Sequence, residues 1–262
     1  MKVGFVQFSP VFGAKEKNFD KVSGLVKNVN ADLLVLPELF NTGYLFLNKT
    51  ELQTLAEKVD EGPTYEFARA LCQKKNWALI YGFAEKDGNA LYNSAVLMGP
   101  DGLIGHYRKT HLFFEESFIF DPGNLPYQVF EYQGVKFGLL ICFDYIYPEA
   151  MRTVALKGAQ VVALPANLVL PYCPDALVTR SLENRIYTIL ADRTGTEERE
   201  TKRLSFIGKS EIVAPDGTIL LRVNDEECVQ VIDIDPNLAL DKRVTPYNDI
   251  FKQRRTDLYF RF

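Results

Sequence analysis

Short apolar segments alternate along this chain with segments of helical periodicity, and this alternation constrains the fold more than any other feature. Strands are predicted at Met1–Phe8 and Ala31–Leu36, with a lysine-rich amphipathic helix at Lys15–Val29 between them. A tight turn at Lys86-Asp87-Gly88-Asn89 joins two later strands directly, as in an antiparallel pair. No linker or repeat interrupts this order. The sequence therefore predicts one α/β domain over residues 1–262, with mixed sheets.

The remaining predicted elements follow the same order. Their apolar residues recur at helical spacing or in short runs bounded by turn-forming residues. Helices are expected at Tyr65–Asn76, Pro148–Lys157 and Asp175–Asn184, and strands at Trp77–Glu85, Leu91–Met98, Leu103–Arg108, Tyr127–Tyr132, Val135–Cys142, Gln160–Leu164, Ile186–Ala191 and Cys228–Ile234. A further hairpin is expected around Ala214-Pro215-Asp216-Gly217, and the chain from Asp235 onward is expected to be irregular.

The charge balance argues against two classes of partner. The chain carries 30 Lys and Arg against 34 Asp and Glu, a net charge of −4. Neither nucleic acid nor an anionic membrane surface is favoured as a partner by such a balance. The longest apolar runs are far shorter than the roughly 20 residues that a membrane-spanning helix needs. Because Met1–Pro10 has no basic start and no long apolar segment, no signal peptide is predicted, and we expect a cytoplasmic protein.

The cysteine and histidine content narrows the chemistry. Cys72, Cys142, Cys173 and Cys228 are widely spaced without a C-x-x-C pair, which is typical of reduced thiols and not of a disulfide framework. With only 2 His in the chain, no spacing of ligand residues predicts a metal site. No residue pattern implies a cofactor. The same shortage of His leaves little room for a Ser-His-Asp or Cys-His arrangement.

Three segments place a reactive side chain at or near the end of an apolar strand. These side chains are the carboxylate of Glu38, the ammonium of Lys109 and the thiol of Cys142. Sites in open α/β sheets gather outside the carboxyl ends of the strands, so the three groups could converge there as a nucleophilic site that needs no histidine. Taken singly, each residue also fits an ordinary role, as a buried core thiol or as a solvated charge at a strand end.

Taken together, the three segments resemble the nitrilase superfamily of carbon–nitrogen hydrolases, and the resemblance covers essentially the whole chain. Three motifs in the family's order carry it: Leu36-Pro37-Glu38-Leu39-Phe40, Tyr107-Arg108-Lys109-Thr110-His111-Leu112-Phe113, and Ile141-Cys142-Phe143-Asp144 with Tyr147-Pro148-Glu149. Supporting matches are Leu164-Pro165-Ala166-Asn167 and Arg180-Ser181-Leu182-Glu183-Asn184-Arg185. The resemblance implies a four-layer α-β-β-α sandwich. It also implies a homodimer or higher homo-oligomer in which a C-terminal tail, about residues 236–262, packs across the subunits.

The resemblance further implies a Glu-Lys-Cys triad. Cys142 would be the nucleophile and Glu38 the general base and acid. Lys109 would favour the thiolate and stabilise the tetrahedral intermediate. A second glutamate follows the lysine segment in this family, and Glu116, followed by Ser117, fits that pattern better than Glu115. Glu115 is expected to be a surface charge.

Other residues have expected roles because they flank these motifs. Substrate contacts are assigned to Tyr44, Phe114, Phe143 and Asn167, for which ordinary packing is an equally good explanation. His111 is expected to be a structural hydrogen-bonding residue. The residues expected to brace the nucleophile turn and the helix after it are Asp144, Tyr147, Arg180 and Glu183.

The activity implied is hydrolysis of a small amide to a carboxylic acid and ammonia through a thioester on Cys142. Hydrolysis of a small aliphatic nitrile or dinitrile is the alternative. Strict nitrilases tend to have Trp-Glu after the cysteine, whereas Phe143 and Asp144 follow it here, so the amide is preferred. Cleavage of a carbamoyl amine remains open. A catalytically silent binding module is the alternative from a different class.

Overall fold

The computed structural model describes residues 1–259, in which strands and helices alternate as the sequence predicts. The helices are α1 Lys15–Leu25, α2 Lys49–Leu55, α3 Pro63–Lys75, α4 Glu116–Ile119, α5 Pro148–Leu156 and α6 Cys173–Asn184, with 3₁₀ helices at Cys142–Ile146 and Pro236–Ala239. The strands are β1 Lys2–Gln7, β2 Leu33–Val35, β3 Ala78–Asp87, β4 Ala90–Gly99, β5 Gly102–Arg108, β6 Val129–Tyr132, β7 Val135–Leu139, β8 Val161–Ala166, β9 Tyr187–Asp192, β10 Thr194–Arg199, β11 Lys202–Ile207, β12 Glu211–Val213, β13 Ile219–Arg222, β14 Cys228–Asp233, β15 Arg243–Thr245 and β16 Asn248–Asp249. None of the helices within residues 1–259 is both long enough and apolar enough to cross a membrane.

Two six-stranded mixed sheets form the centre of the molecule. Their strand orders are β14-β1-β2-β3-β4-β5 and β13-β12-β9-β8-β7-β6. In the first sheet β1, β2 and β3 are parallel, and in the second β7, β8 and β9 are parallel. Helices connect these parallel neighbours, because a parallel pair needs a crossover connection. The other pairings in both sheets are antiparallel.

The side chains of each strand show how the layers are built. In β1, Val3 and Phe5 face the core between the sheets, whereas Val6 belongs to the cluster under α1 and α3. On the second sheet, Val154 of α5 packs against Gly138 of β7, and Leu177 of α6 joins the same core. The layer order is thus helix, sheet, sheet, helix. This confirms the predicted α-β-β-α sandwich and its single domain.

The sequence does not predict the β10–β11 hairpin, nor the short helices α2 and α4. Strand β10 contains no large apolar side chain, and the turn after it holds Glu200 at φ 51° where glycine would be the usual signal. Helix α1 also ends at Leu25, four residues before the predicted end. The N–H groups of Lys27 and Val29 there bond to carbonyls three residues back, which ends the α-helix in tighter turns.

The segment after β14 folds back onto α5 and α6 of the same chain. Lys242 Nζ donates to the carbonyl oxygens of Asn184 and Arg185 at the end of α6, at 3.1 and 2.8 Å. The Phe251 ring lies 4.9 Å from Lys242 Nζ and 5.2 Å from the guanidinium of Arg152. Packing of residues 236–262 across a dimer remains a prediction, and residues 260–262 lie outside the described part of the chain.

A buried ionic cluster joins β3, β4 and β5. Glu85 is 1% exposed, with His106 Nε2 at 2.7 Å and Arg108 Nε at 3.1 Å, and it also accepts a hydrogen bond from Ser94. Burial by itself would raise the pKa of Glu85, but these hydrogen bonds and the His106 charge outweigh it and lower the pKa to about 2. Because Arg108 directly precedes Lys109, the cluster also fixes the end of β5.

Replacement of this carboxylate is expected to cost stability. Glu85→Gln should lower the free energy of unfolding at pH 7 by about 3 kcal/mol, because a lowered pKa stabilises the folded state above the ordinary pKa of the group. That contribution is lost as the pH falls through the folded-state pKa, so the two proteins should converge between pH 5 and about 2. Urea unfolding across this pH range measures the difference. Glu131→Gln, at an exposed position of β6, is the control, and an equal loss in both variants would contradict the role of the cluster.

Candidate active site

Glu38 lies in a buried turn shortly after β2. Its side chain is fully buried, and Oε1 accepts hydrogen bonds from Lys109 Nζ at 2.7 Å and from Asn93 Nδ2 at 2.6 Å. Within residues 1–259, Oε2 has no hydrogen-bond partner. Burial raises the pKa of Glu38, and the Lys109 charge only partly opposes this rise. Glu38 therefore keeps one oxygen free to take a proton.

Backbone strain accompanies all three of the predicted motifs. Leu39, Phe114 and Cys142 have φ angles of 50°, 49° and 43°, the left-handed region that residues with side chains rarely adopt. Beside Leu39, a Cβ atom at Gly82 would lie 2.6 Å from the Cα atom of Glu38, so only glycine allows this close approach of backbones. Such strain persists where the surrounding structure holds it, and it is concentrated at functional sites.

Lys109 follows β5 and is buried between two carboxylates. Its Nζ atom donates to Glu38 Oε1 at 2.7 Å and to Glu116 Oε1 at 2.8 Å, and its backbone N–H donates to the Asn93 carbonyl at 2.8 Å. Burial disfavours the ammonium, but the Glu116 and Glu38 charges outweigh this effect and raise the pKa of Lys109. Lys109 is therefore a fixed cation and not a base.

Cys142 begins the 3₁₀ helix Cys142–Ile146 and is 5% exposed. Burial and the Glu38 charge raise the pKa of its thiol, while Lys109 and the backbone N–H of Asn167 lower it without outweighing them. The sequence-based expectation that Lys109 favours the thiolate is thus correct in direction, but the net shift is the opposite. A thiol with a raised pKa is mainly protonated near neutral pH, and a protonated thiol needs a base before it can act as a nucleophile.

Asp144 braces the turn that carries Cys142. Its Oδ2 atom accepts from the Ile141 N–H at 2.9 Å and the Tyr107 hydroxyl at 2.8 Å, and its Oδ1 atom accepts from the His111 N–H at 3.2 Å. His111 Nδ1 also lies 2.8 Å from Oδ1. Asp144 therefore links the lysine segment directly to the cysteine segment.

The other expected bracing residues lie around the same turn. Arg180 Nε donates to the Tyr145 carbonyl at 3.1 Å, and Arg180 Nη1 pairs with Glu183 at 3.0 Å. The His111 ring stacks on Tyr147 with the ring centres 3.6 Å apart. These contacts agree with structural roles for all of them.

The two adjacent glutamates after Lys109 separate clearly in space. Glu116 is 5% exposed and accepts at Oε1 from both Lys109 and the Tyr44 hydroxyl, the latter at 2.7 Å, and at Oε2 from the Phe113 N–H at 3.0 Å. Glu115 is 42% exposed and pairs with Lys202 of β11. Glu116 thus belongs to the buried cluster, and Glu115 is the surface charge that was expected.

Two pockets adjoin this cluster. A pocket of about 430 Å³ is lined mostly by apolar side chains and includes Tyr44, Phe114 and Glu116. A narrow one of about 20 Å³ contains Cys142, Phe143 and Asn167. Phe113 and Val169 line both pockets, so the larger pocket lies next to the one that contains Cys142 without including that residue. The four residues predicted to contact substrate are divided equally between them.

Asn167 is the one of these four whose side-chain amide is buried and unpaired within the described residues. It is 3% exposed, and neither its Oδ1 nor its Nδ2 atom has a partner within the described residues. The adjacent Leu168 N–H donates to Asp192 at 2.9 Å, and Asp192 is fully buried. Burial, aided by the Glu38 charge, raises the pKa of Asp192 to about 8 against its backbone hydrogen bonds. An unpaired buried amide in the lining of the pocket that contains Cys142 is suited to a polar ligand group.

Sequence reasoning missed two residues of the site's surroundings. Asn93, which bonds Glu38, is a buried polar residue within an apolar strand, and that interruption was the available signal. Glu197 accepts hydrogen bonds from the N–H groups of Tyr44 and Leu45. It lies in the unpredicted β10, where no local pattern marks it. Across residues 1–259, no group of three or more His, Cys, Asp and Glu side chains could hold a metal ion.

The arrangement provides the parts that acyl transfer requires. A buried thiol, a carboxyl with a free oxygen and a permanent cation act on one another electrostatically. These match a nucleophile, a proton acceptor and a stabiliser of developing negative charge.

Comparison with known proteins places this arrangement in a family. The model of the carbon–nitrogen hydrolase family matches residues 2–243. The chain is 47% identical over 265 residues to a nitrilase of Pyrococcus abyssi, with 100% of both chains covered. It is 32% identical to an (R)-stereoselective amidase of Pseudomonas sp., covering 90% of this chain and 85% of that one.

A solved structure agrees in fold. The carbon–nitrogen hydrolase from Helicobacter pylori G27 superposes with a TM-score of 0.89 at 26% identity, covering 99% of this chain and 97% of that one. The family match spans all three motif segments and both sheets. The chain therefore belongs to the carbon–nitrogen hydrolase family, within the nitrilase superfamily, and is an enzyme.

Proposed function

We propose that this hydrolase cleaves a small amide to a carboxylic acid and ammonia through a thioester on Cys142. The observation that carries the proposal is the buried contact of Lys109 with both Glu38 and Glu116, which leaves Glu38 Oε2 without a partner among the described residues. Lys109 holds one Glu38 oxygen in place and leaves the other for proton transfer. A purely structural ion pair would have no reason to leave a buried carboxylate oxygen unpaired.

The first half of the reaction forms the thioester. Cys142 sulfur attacks the amide carbon as its proton passes to Glu38, whose raised pKa makes it a stronger proton acceptor than an ordinary carboxylate. Negative charge develops on the substrate oxygen, where Lys109 and the backbone N–H of Phe143 would stabilise it. The C–N bond then breaks, and the nitrogen takes the proton from Glu38 and leaves as ammonia.

The second half regenerates the enzyme. Glu38, again unprotonated, removes a proton from water as the water oxygen attacks the thioester carbon. The C–S bond breaks, the carboxylic acid is released, and the thiolate of Cys142 recovers its proton from Glu38. One carboxyl therefore serves both halves, which requires it to sit beside the nucleophile and remain free of a second strong partner.

Nitrile hydrolysis is the second candidate. The nitrilase of Pyrococcus abyssi, 47% identical over the whole chain, favours it. A nitrile would form a thioimidate on Cys142, and water would then release ammonia and the acid by way of the same thioester. The Cys142-Phe143-Asp144 segment, in place of the Trp-Glu after the cysteine of strict nitrilases, is the reason to place the amide first.

The test is ammonia release from matched pairs of amides and nitriles. The pairs are those of short aliphatic mono- and dicarboxylic acids, and Cys142→Ala is measured in parallel. We expect ammonia from the amides. Ammonia from the nitriles alone would make nitrile hydrolysis the activity, and ammonia from neither set would contradict both candidates and direct the search to carbamoyl amines and binding partners.

The proposal includes assembly into a homodimer through α5, α6 and the tail. Apolar side chains are exposed on these elements: Leu156 at 40%, Leu182 at 44%, Val244 at 56% and Leu258 at 60%. Exposed apolar side chains on elements that pack together can form part of an interface. The described part of the tail packs against α5 and α6 of its own chain, and in this proposal it forms part of the dimer interface.

A further inference from the structure

Glu197 of β10 is a buried carboxylate outside the reacting groups. It is 6% exposed. Its Oε1 atom accepts hydrogen bonds from the Leu45 N–H at 2.5 Å and the Tyr44 N–H at 3.2 Å, and its Oε2 atom accepts from Arg193 Nη1 at 2.6 Å. The carboxylate thus holds the backbone of the loop that begins at Glu38.

Arg193 forms a buried ion pair with Glu197. It is fully buried, and its guanidinium lies 3.9 Å from the centre of the Phe206 ring of β11. The same ring meets Tyr44 edge-on at 5.9 Å. Burial of an ion pair is costly and is weak evidence for stabilisation of the fold. The pair contacts the backbone of the loop that holds Tyr44 and, through the Phe206 ring, the Tyr44 side chain, so it fixes the position of both.

A continuous series of contacts leads from this pair to the catalytic centre. The Tyr44 hydroxyl donates to Glu116 Oε1 at 2.7 Å. The same oxygen accepts from Lys109 Nζ at 2.8 Å. The position of the Tyr44 hydroxyl therefore affects where Glu116 holds the lysine, and Glu197 fixes the backbone from which the Tyr44 side chain extends.

We propose that Glu197 is a positioning residue for Lys109, acting through Tyr44 and Glu116 and supported by Arg193. The inference rests on the proposed function of Lys109 as the cation that stabilises the tetrahedral intermediate. Displacement of a catalytic group by about 1 Å can cost on the order of 10² in rate. Glu197 has no hydrogen bond to Cys142, Glu38 or Lys109 within the described residues, and the contacts that lead from it to Lys109 pass through the hydroxyl of Tyr44.

The test is a double-mutant cycle with Glu197→Gln and Tyr44→Phe, using the full-length enzyme and the amide substrate. Glutamine keeps the shape of the side chain and one oxygen acceptor, but loses the charge that pairs with Arg193. We expect Glu197→Gln to lower kcat by about tenfold to a hundredfold, with a smaller change in KM. In the Tyr44→Phe background the same substitution should have little further effect on kcat.

The matched control is Glu198→Gln, the same chemical change at the next residue of β10, whose side chain is exposed. It should leave kcat unchanged. Equal rates for Glu197→Gln and the wild type would overturn the proposal. So would effects of Glu197→Gln and Tyr44→Phe that simply multiply, or a loss of rate that matches a loss of folded protein by circular dichroism.

A second readout separates this inference from the proposed function. If the wild-type enzyme releases no ammonia, the proposed function fails, and the cycle is then followed by the rate at which iodoacetamide alkylates Cys142, measured by peptide mass. That rate depends on the groups around the thiol and needs no turnover. A tenfold slower alkylation in Glu197→Gln that disappears in the Tyr44→Phe background supports the positioning role, and an unchanged rate contradicts it.

Discussion

Cys142→Ala is expected to abolish ammonia release, with kcat lower by at least about 10³-fold, because the thioester cannot form without the sulfur. Substrate should still bind, since the predicted contacts at Tyr44 and Asn167 are unchanged. The measurement is ammonia production together with intact-protein mass after brief mixing with substrate. The wild type should show a transient acyl adduct, and the variant should show none.

The matched control for this prediction is Cys228→Ala. Cys228 is half-buried at the start of β14, and its loss should leave the rate within about twofold of the wild type, as is usual for substitutions away from a site. If Cys142→Ala retained activity, the nucleophile would have to be another group. If the Cys142→Ala variant kept the full biological effect of the wild type in the cell, that effect would come from binding and not from this chemistry.

Much of the fold could be predicted because its strands and helices carry clear periodic patterns. Val3 and Phe5 lie on one face of β1 and Val6 on the other, so a two-sided sheet follows from the sequence alone. The β10–β11 hairpin could not be predicted in this way. Its first strand exposes Gly195, Thr196 and Glu198. It is anchored by the Arg193–Glu197 ion pair and by the hydrogen bonds of Glu197 to a distant loop, which no local sequence pattern predicts.

In the candidate site too, some residues could be predicted from the sequence and others could not. Glu38 and Lys109 follow β2 and β5 of the first sheet, whereas Cys142 follows β7 of the second. Their positions after apolar strands indicated that they could converge, and the resemblance to the nitrilase superfamily joined them into one predicted site. The contribution of Asn93 depends on a strand register, and that of Glu197 on a loop from a distant part of the chain. These contacts can be identified only from the three-dimensional structure.

The direction of the pKa shift of Cys142 could not be predicted from the sequence either. A lysine close to a cysteine favours the thiolate, but the net effect depends on burial and on how many carboxylates share the site. Here burial, Glu38 and Glu116 raise the pKa of the Cys142 thiol against the opposing effect of Lys109. The net effect on the Cys142 pKa can be obtained only from the three-dimensional arrangement. In the proposed mechanism, Glu38 therefore contributes more than Lys109 to the deprotonation of the thiol.

Glu38→Gln tests that assignment. Glutamine fills the same space but cannot accept the thiol proton, so kcat should fall by at least about 10²-fold, the usual contribution of general acid–base catalysis. With an activated ester of the same acid, the thioester should still form slowly through the small fraction of Cys142 that is thiolate, because the leaving group needs no proton. It should then persist, since no base activates water. Intact-protein mass spectrometry would show the adduct accumulating in the variant but turning over in the wild type.

Unfolding of the Glu38→Gln variant is not expected to explain a lower kcat. Because the pKa of Glu38 is raised, its ionised carboxylate lowers the free energy of unfolding of the wild type. A carboxyl with a raised pKa stabilises the folded state below its ordinary pKa, and this contribution is lost as the pH rises through the folded-state pKa. Glu38→Gln should therefore be at least as stable as the wild type at pH 8, with the difference in Tm shrinking toward pH 4. Glu16→Gln, exposed on α1, is the control for both measurements. Rapid release of the acyl group from the Gln variant would show that another residue activates water.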